Sequence, residues 1–197
     1  MATTTDMIKE LRQLTGAGVL DCKRALDETG GDMEKAAAIL RERGLAVAAK
    51  KAEREVLEGR VEAYIHPGNK LASLIEVNCE TDFVARTDEF IELCHDLAMQ
   101  VAAANPSYVS REDVPDSVIE AERNEYRAQI AGDPKPEHIV ERVIEGKLGK
   151  FYEEKVLLEQ PFIKDETKTV QQLLTEAIAK TGENIVIRRF ARFTIDR

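Results

Sequence analysis

Residues 59–79, GRVEAYIHPGNKLASLIEVNC, decide how this chain folds. Val61, Ala63 and Ile65 alternate with Arg60, Glu62 and Tyr64, and Leu71, Ser73, Ile75, Val77 and Cys79 recur at every second position. A period of two sorts side chains onto the opposite faces of an extended strand. Between the two runs, His66-Pro67-Gly68-Asn69 has the composition of a tight turn. The reading is a β-hairpin, so an antiparallel sheet belongs to the fold.

On the N-terminal side the period becomes helical. Met7, Ile8, Leu11 and Leu14 recur at helical spacing before Thr15-Gly16-Ala17-Gly18 breaks the chain. Val19 to Thr29 carries a stripe of Cys22, Ala25 and Leu26, and Gly30-Gly31 ends it. Asp32 is placed to cap a third helix bearing Met33, Ala36, Ala37 and Leu40, which should stop near Gly44. Residues 46–58 lack Gly and Pro and read as a helical linker.

Beyond the hairpin, helical patterns dominate until the last strand. Thr87 should cap a helix from about Asp88 to Ala104, with Asp88 and Glu89 at its positive end and Pro106 beyond its stop. Phe90, Cys94, Leu97 and Val101 form its buried stripe. Val109 to Pro115 reads as a loop, and a polar helix follows over about Asp116–Ala131. Pro136 opens a longer helix expected to reach Glu159, and Gln160-Pro161-Phe162 exits as a loop. Thr169 and Gln172 have capping-box spacing before a helix through Ile178. The strand Asn184–Ile195 closes the chain with large apolar groups on both faces, which suits cover by a helix on one face and by a partner subunit on the other. The fold class is α+β: a three-helix bundle (1–45), a helical linker (46–58), and a core (59–197) with an antiparallel sheet of about three strands packed with helices.

Composition excludes several functions. The net charge of −9 opposes direct nucleic-acid binding, which draws on cations to displace counterions from phosphates. No apolar run approaches the ~18 residues of a membrane span, and MATTTDMIKELRQL lacks a secretion signal, so a cytoplasmic protein without membrane attachment is expected. Cys22, Cys79 and Cys94 form no C-x-x-C pair, and His66, His95 and His138 are isolated, so neither metal nor cofactor is expected. Thr15-Gly16-Ala17-Gly18 lacks the Gly-Lys-Ser/Thr of a phosphate-binding loop and reads as a helix–helix turn. Cys94 and His95 point about 100° apart on a helix, too far for a nucleophile–base pair. The chain reads as a binding protein rather than an enzyme.

Two stretches sharpen that reading. Leu11-Arg12-Gln13-Leu14-Thr15-Gly16-Ala17-Gly18-Val19-Leu20-Asp21-Cys22-Lys23-Arg24-Ala25-Leu26 and Glu76-Val77-Asn78-Cys79-Glu80-Thr81-Asp82-Phe83-Val84-Ala85-Arg86 resemble the two signatures of the elongation factor Ts family. Leu157-Leu158-Glu159-Gln160-Pro161-Phe162 and Glu183-Asn184-Ile185-Val186-Ile187-Arg188-Arg189-Phe190 are similar to later segments of that family. The resemblance implies a guanine nucleotide exchange factor that binds elongation factor Tu, both GDP-bound and nucleotide-free, displaces Mg2+ and promotes GDP release. It implies that Thr81, Asp82, Phe83 and Val84 enter the partner near its magnesium. Without it, the residues favour Phe83 as a side chain packed on its own core, as most loop aromatics near a helix start are. It also implies that the N-terminal bundle, similar to ubiquitin-associated domains, docks on the partner's GTP-binding domain. Arg12, Val19, Leu20 and Lys23 are the candidates for that face, with Val19 and Leu20 alternatively serving the bundle core. Many relatives have Met-Met at Val19-Leu20. The chain has room for one core unit, as short members of the family do, and these are expected to form homodimers. The rival reading is an adaptor or dimerisation protein without exchange activity.

Overall fold

The structure, a computed structural model, describes residues 4–130 and 136–195. The ends of the expected bundle and core (1–3 and 196–197) and the last residue of the expected polar helix, Ala131, lie outside the described residues. Three helices come first: α1 (Thr5–Thr15), α2 (Val19–Glu28) and α3 (Met33–Lys51). Gly16 caps α1 in the left-handed region at φ 67, its N–H donating to Arg12 O at 2.8 Å. Asp32 caps α3 by accepting from Lys35 N–H at 3.0 Å. Leu11, Cys22, Ala25, Leu26, Ala36 and Leu40 are buried between the three helices.

The third helix does not stop near Gly44. It continues to Lys51, so only the first six residues of the expected linker, 46–51, are helical. Gly44 faces α8 (Val170–Thr181): a Cβ there would sit 3.8 Å from Ala179 and 3.9 Å from Thr175. Side-chain packing along this face outweighs the unfavourable helix propensity of one glycine, about 1 kcal/mol.

Strands β1 (Glu58–Ile65) and β2 (Leu71–Cys79) form the expected hairpin, and β5 (Ile185–Thr194) adds to β2, giving a three-stranded antiparallel sheet in the order β1-β2-β5. Gly59 allows β1 to approach β2: a Cβ there would lie 2.3 Å from Val77 O. Ser73 Oγ donates to Ala98 O at 2.6 Å and Arg192 Nε to Ala102 O at 3.0 Å, so both reach α5 (Asp88–Ala104). Thr87 caps α5, accepting from Phe90 N–H at 3.3 Å.

The hairpin presents its faces in an unexpected sense. In β2 the odd residues Ser73, Ile75, Val77 and Cys79 are buried, yet in β1 the apolar residues Val61, Ala63 and Ile65 are exposed. The half-buried side of β1 instead carries Arg60, Glu62 and Tyr64, with Arg60 and Glu62 paired at 2.6 Å. His66 N–H donates to Leu71 O and Ile195 N–H to Lys70 O. Counting along the strands from these bonds sets Ile65, Ala72 and Phe193 abreast on the outer face, with Ala63, Leu74 and Ala191 beside them.

Helices α6 (Asp116–Ile130) and α7 (Glu137–Lys155) pack as a pair with Arg123–Glu145 and Arg127–Glu141 bridges at 2.6 and 2.7 Å. The longer helix stops at Lys155, short of Glu159, and a 3-10 turn over Leu157–Glu159 completes the segment. The expected loop at 160–162 is partly strand: β3 (Pro161–Phe162) pairs antiparallel with β4 (Asp165–Thr169).

By contacts the chain forms two compact units. One comprises residues up to Glu62, Glu76–His95 and Gln172–Ile187; the other comprises Ala63–Ile75, Asp96–Gln171 and the residues from Arg188 on.

Candidate protein-interaction site

The segment after β2 turns at once into a single helical turn, α4 (Asp82–Ala85). Thr81 caps it, its hydroxyl accepting from Val84 N–H at 3.4 Å. Ala85 turns inward and is buried, while Phe83 points the other way and is 82% exposed. Phe83 therefore does not pack on the core of this chain. Asp82 is half-buried and pairs with Arg86 one turn later at 2.9 Å. Val84 is half-buried beside them. Thr81, Asp82, Phe83 and Val84 thus share one short turn whose outermost group is an aromatic ring.

Below that turn lies a set of polar contacts that the sequence reading did not single out. Glu183 Oε2 accepts from Glu80 N–H at 3.1 Å and Thr81 N–H at 3.0 Å, and Glu183 Oε1 accepts from the Thr81 hydroxyl at 2.6 Å. Glu80 in turn accepts from Asn184 N–H at 2.7 Å and lies 3.4 Å from Arg54. The Asn184 N–H, with the Arg54 guanidinium adding its charge, holds the Glu80 carboxyl below its ordinary range. The Cys79 thiol, buried beneath, donates to Thr81 O at 3.2 Å. Burial, and then the charge of Glu183, push its pKa up to about 11, so it stays a neutral thiol near pH 7.

The other candidate face is on α1 and α2. Val19 is 50% exposed and Leu20 68%, so neither serves the bundle core, and Arg12 and Lys23 are also exposed. Leu14, one of the apolar residues at helical spacing on α1, is exposed as well. The bundle thus carries exposed apolar groups near cationic ones, a composition suited to protein contact.

Among the described residues no group of three His, Cys, Asp or Glu could hold a metal ion, and no helix is long and apolar enough to cross a membrane. Two shallow hollows, of about 280 and 240 Å³, include none of the eight candidate residues. The candidate sites project rather than enclose.

Known proteins give the geometry a context. A family model described as Elongation factor TS matches residues 28–177. A protein named elongation factor Ts from Herpetosiphon aurantiacus is 56% identical over 195 residues, covering 99% of this chain and 98% of its own length. One of the same name from Carboxydothermus hydrogenoformans is 62% identical over 192 residues, 98% of this chain and 88% of its own. A third, from Thermodesulfovibrio yellowstonii, is 54% identical over 195 residues, 99% and 97% of the two chains.

Proposed function

The chain belongs to the elongation factor Ts family, and from that premise we propose that it is a guanine nucleotide exchange factor for elongation factor Tu in translation elongation. The observation that carries the reading is Phe83, an exposed aromatic on a turn fixed by hydrogen bonds at its base. A large apolar side chain held in water by its own fold loses little on insertion into a partner's pocket and gains its burial there, about 2–3 kcal/mol.

Exchange requires no bond chemistry from this chain. It requires that the chain bind nucleotide-free Tu more tightly than Tu bound to GDP; by linkage, GDP then binds the complex less tightly by the same factor. Magnesium bridges the phosphates of a bound nucleotide and offsets their charge. In this reading Phe83 enters the partner near that ion and Asp82 and Thr81 border it, so the ion is displaced and GDP leaves. Arg12, Val19, Leu20 and Lys23 dock the bundle on the partner's GTP-binding domain. The proposed setting is the cytoplasm, with protein rather than nucleic acid as the contact.

We also propose a homodimer through the outer face of the sheet. Ile65 and Phe193, 62% and 66% exposed, flank Ala72 on that face, and Leu74 is exposed beside them. An apolar face of this kind suits a self-complementary two-fold contact.

The deciding experiment follows release of fluorescent GDP from elongation factor Tu by stopped flow. Substoichiometric chain should accelerate release many-fold. Unchanged release at saturating chain, with complex formation intact, would leave the adaptor reading in its place.

A further inference from the structure

Glu183 and Asn184 have no place in the docking faces described above, yet they tie the base of the Phe83 turn to the end of α3. The Glu183 carboxylate accepts three hydrogen bonds from Glu80 and Thr81, and the Glu80 carboxylate accepts one from the Asn184 N–H. Asn184 is 3% exposed and donates its side-chain amide to Arg54 O at 2.9 Å and Ala52 O at 3.4 Å. The Lys51 ammonium reaches Gly182 O. Two segments about a hundred residues apart in sequence are thereby closed on each other by reciprocal bonds.

A helix of four residues cannot hold its own shape, because it is little more than the costly nucleus and gains almost nothing from propagation. Phe83, mostly in solvent, adds little packing to fix it. The direction of the ring is therefore set by the backbone of the turn, which the buried Ala85 anchors at one end and Thr81 at the other, the Thr81 hydroxyl accepting from Val84 N–H while donating to Glu183. We infer that Glu183 is a positioning residue for nucleotide exchange: it holds Thr81 at the start of α4 so that Phe83 is presented in one orientation. The inference rests on the exchange reading and adds to it a residue outside the Thr81–Val84 turn. Removing the carboxylate leaves two N–H groups and the cap hydroxyl without their acceptor, and the ring then samples several directions. Ordering it again costs binding energy in the complex in which magnesium is displaced, not in the first encounter.

The test compares the full chain with Glu183→Ala, Glu183→Gln, Phe83→Ala and the double variant Phe83→Ala/Glu183→Ala. Rates of GDP release from Tu are measured across a range of factor concentrations. Glu183→Ala should lower the plateau rate by about tenfold with little change in half-saturation. Glu183→Gln keeps one carbonyl oxygen for the two N–H groups and should restore most of the plateau. In the Phe83→Ala background, Glu183→Ala should cost little more, since the two act as one unit. A merely destabilised protein instead shifts the curve to higher concentration and reaches the same plateau. That result, or full additivity of the two substitutions, overturns the proposal. Hydrogen exchange at the Glu80 and Thr81 amides supplies a readout that needs no Tu: Glu183→Ala should speed it roughly tenfold or more. If the unmodified chain fails to release GDP, the exchange reading falls, while the amide measurement still decides whether Glu183 orders the turn. Unchanged amide exchange in Glu183→Ala refutes the ordering itself.

Discussion

Phe83 and Cys94 are two apolar-sized side chains that the fold treats in opposite ways. Phe83 stands in solvent, whereas Cys94 is wholly buried in α5, and burial pushes its thiol up to about 12. Phe83→Ala should therefore slow catalysed exchange while leaving the melting temperature close to that of the unmodified chain. Cys94→Ala should do the reverse, costing roughly 1–3 kcal/mol of stability with a normal exchange plateau. Paired rates and thermal melts check both; an early melt with normal exchange in Phe83→Ala would return the ring to the core. The thiol also sets a pH dependence. Its pKa is raised on folding from 9.0, so the unfolded chain loses this proton first as pH rises. Stability contributed by keeping Cys94 neutral is complete below pH 9 and is lost as pH climbs toward 12. Denaturation at pH 8 and pH 10.5 should show this loss, and Cys94→Ala should show less of it. At this scale Cys94 was legible in advance because a helical stripe predicts burial. Phe83 was not, because one aromatic between a strand and a helix has no period to place it.

Elements in this protein are joined by a few buried polar groups as well as by apolar ones. Gln100 is fully buried on α5; its amide donates to Gln160 Oε1 and Pro161 O, both at 3.2 Å, and accepts from Ile163 N–H at 2.9 Å. Gln160 carries the network on to Ala104 O and Glu154 O. These bonds secure the small β3–β4 hairpin, which the sequence reading took for a loop at 160–162. Its strands are too short and too polar to register as alternating runs, and their partners lie some sixty residues away. Gln100→Ala should cost about 2–4 kcal/mol, since it opens a cavity, removes the acceptor of the Ile163 N–H and removes the donor to two carbonyl oxygens. Chemical denaturation measures that loss, and the exchange plateau should be unchanged because no docking residue is touched. The continuation of α3 through Gly44 has the same kind of origin. A glycine is a sound stop signal locally, but packing against Thr175 and Ala179 lies outside any local window.

For the whole molecule, the outer face of the sheet gives the clearest prediction. Phe193→Glu puts a charge into the proposed two-fold contact, where two copies face each other and repel. Sedimentation should show the unmodified chain at twice its own mass and Phe193→Glu at its own mass, with similar melting at low concentration. A monomer in both cases removes the homodimer from the reading. The sequence by itself determined the α+β class, the helices of the N-terminal bundle, the hairpin and its turn, and the helices capped by Asp32 and Thr87. It could do so because caps, glycine stops and hydrophobic periods act over a few residues. It also carried the family signatures, and with them the turn Thr81–Val84. Only the tertiary structure decided which face of β1 meets solvent, since Val61, Ala63 and Ile65 alternate identically whether they point in or out. Only it showed Phe83, Val19 and Leu20 exposed, and only it brought Glu183 beneath Thr81. Those outcomes depend on contacts between residues far apart in the chain, whose free energies no local pattern records.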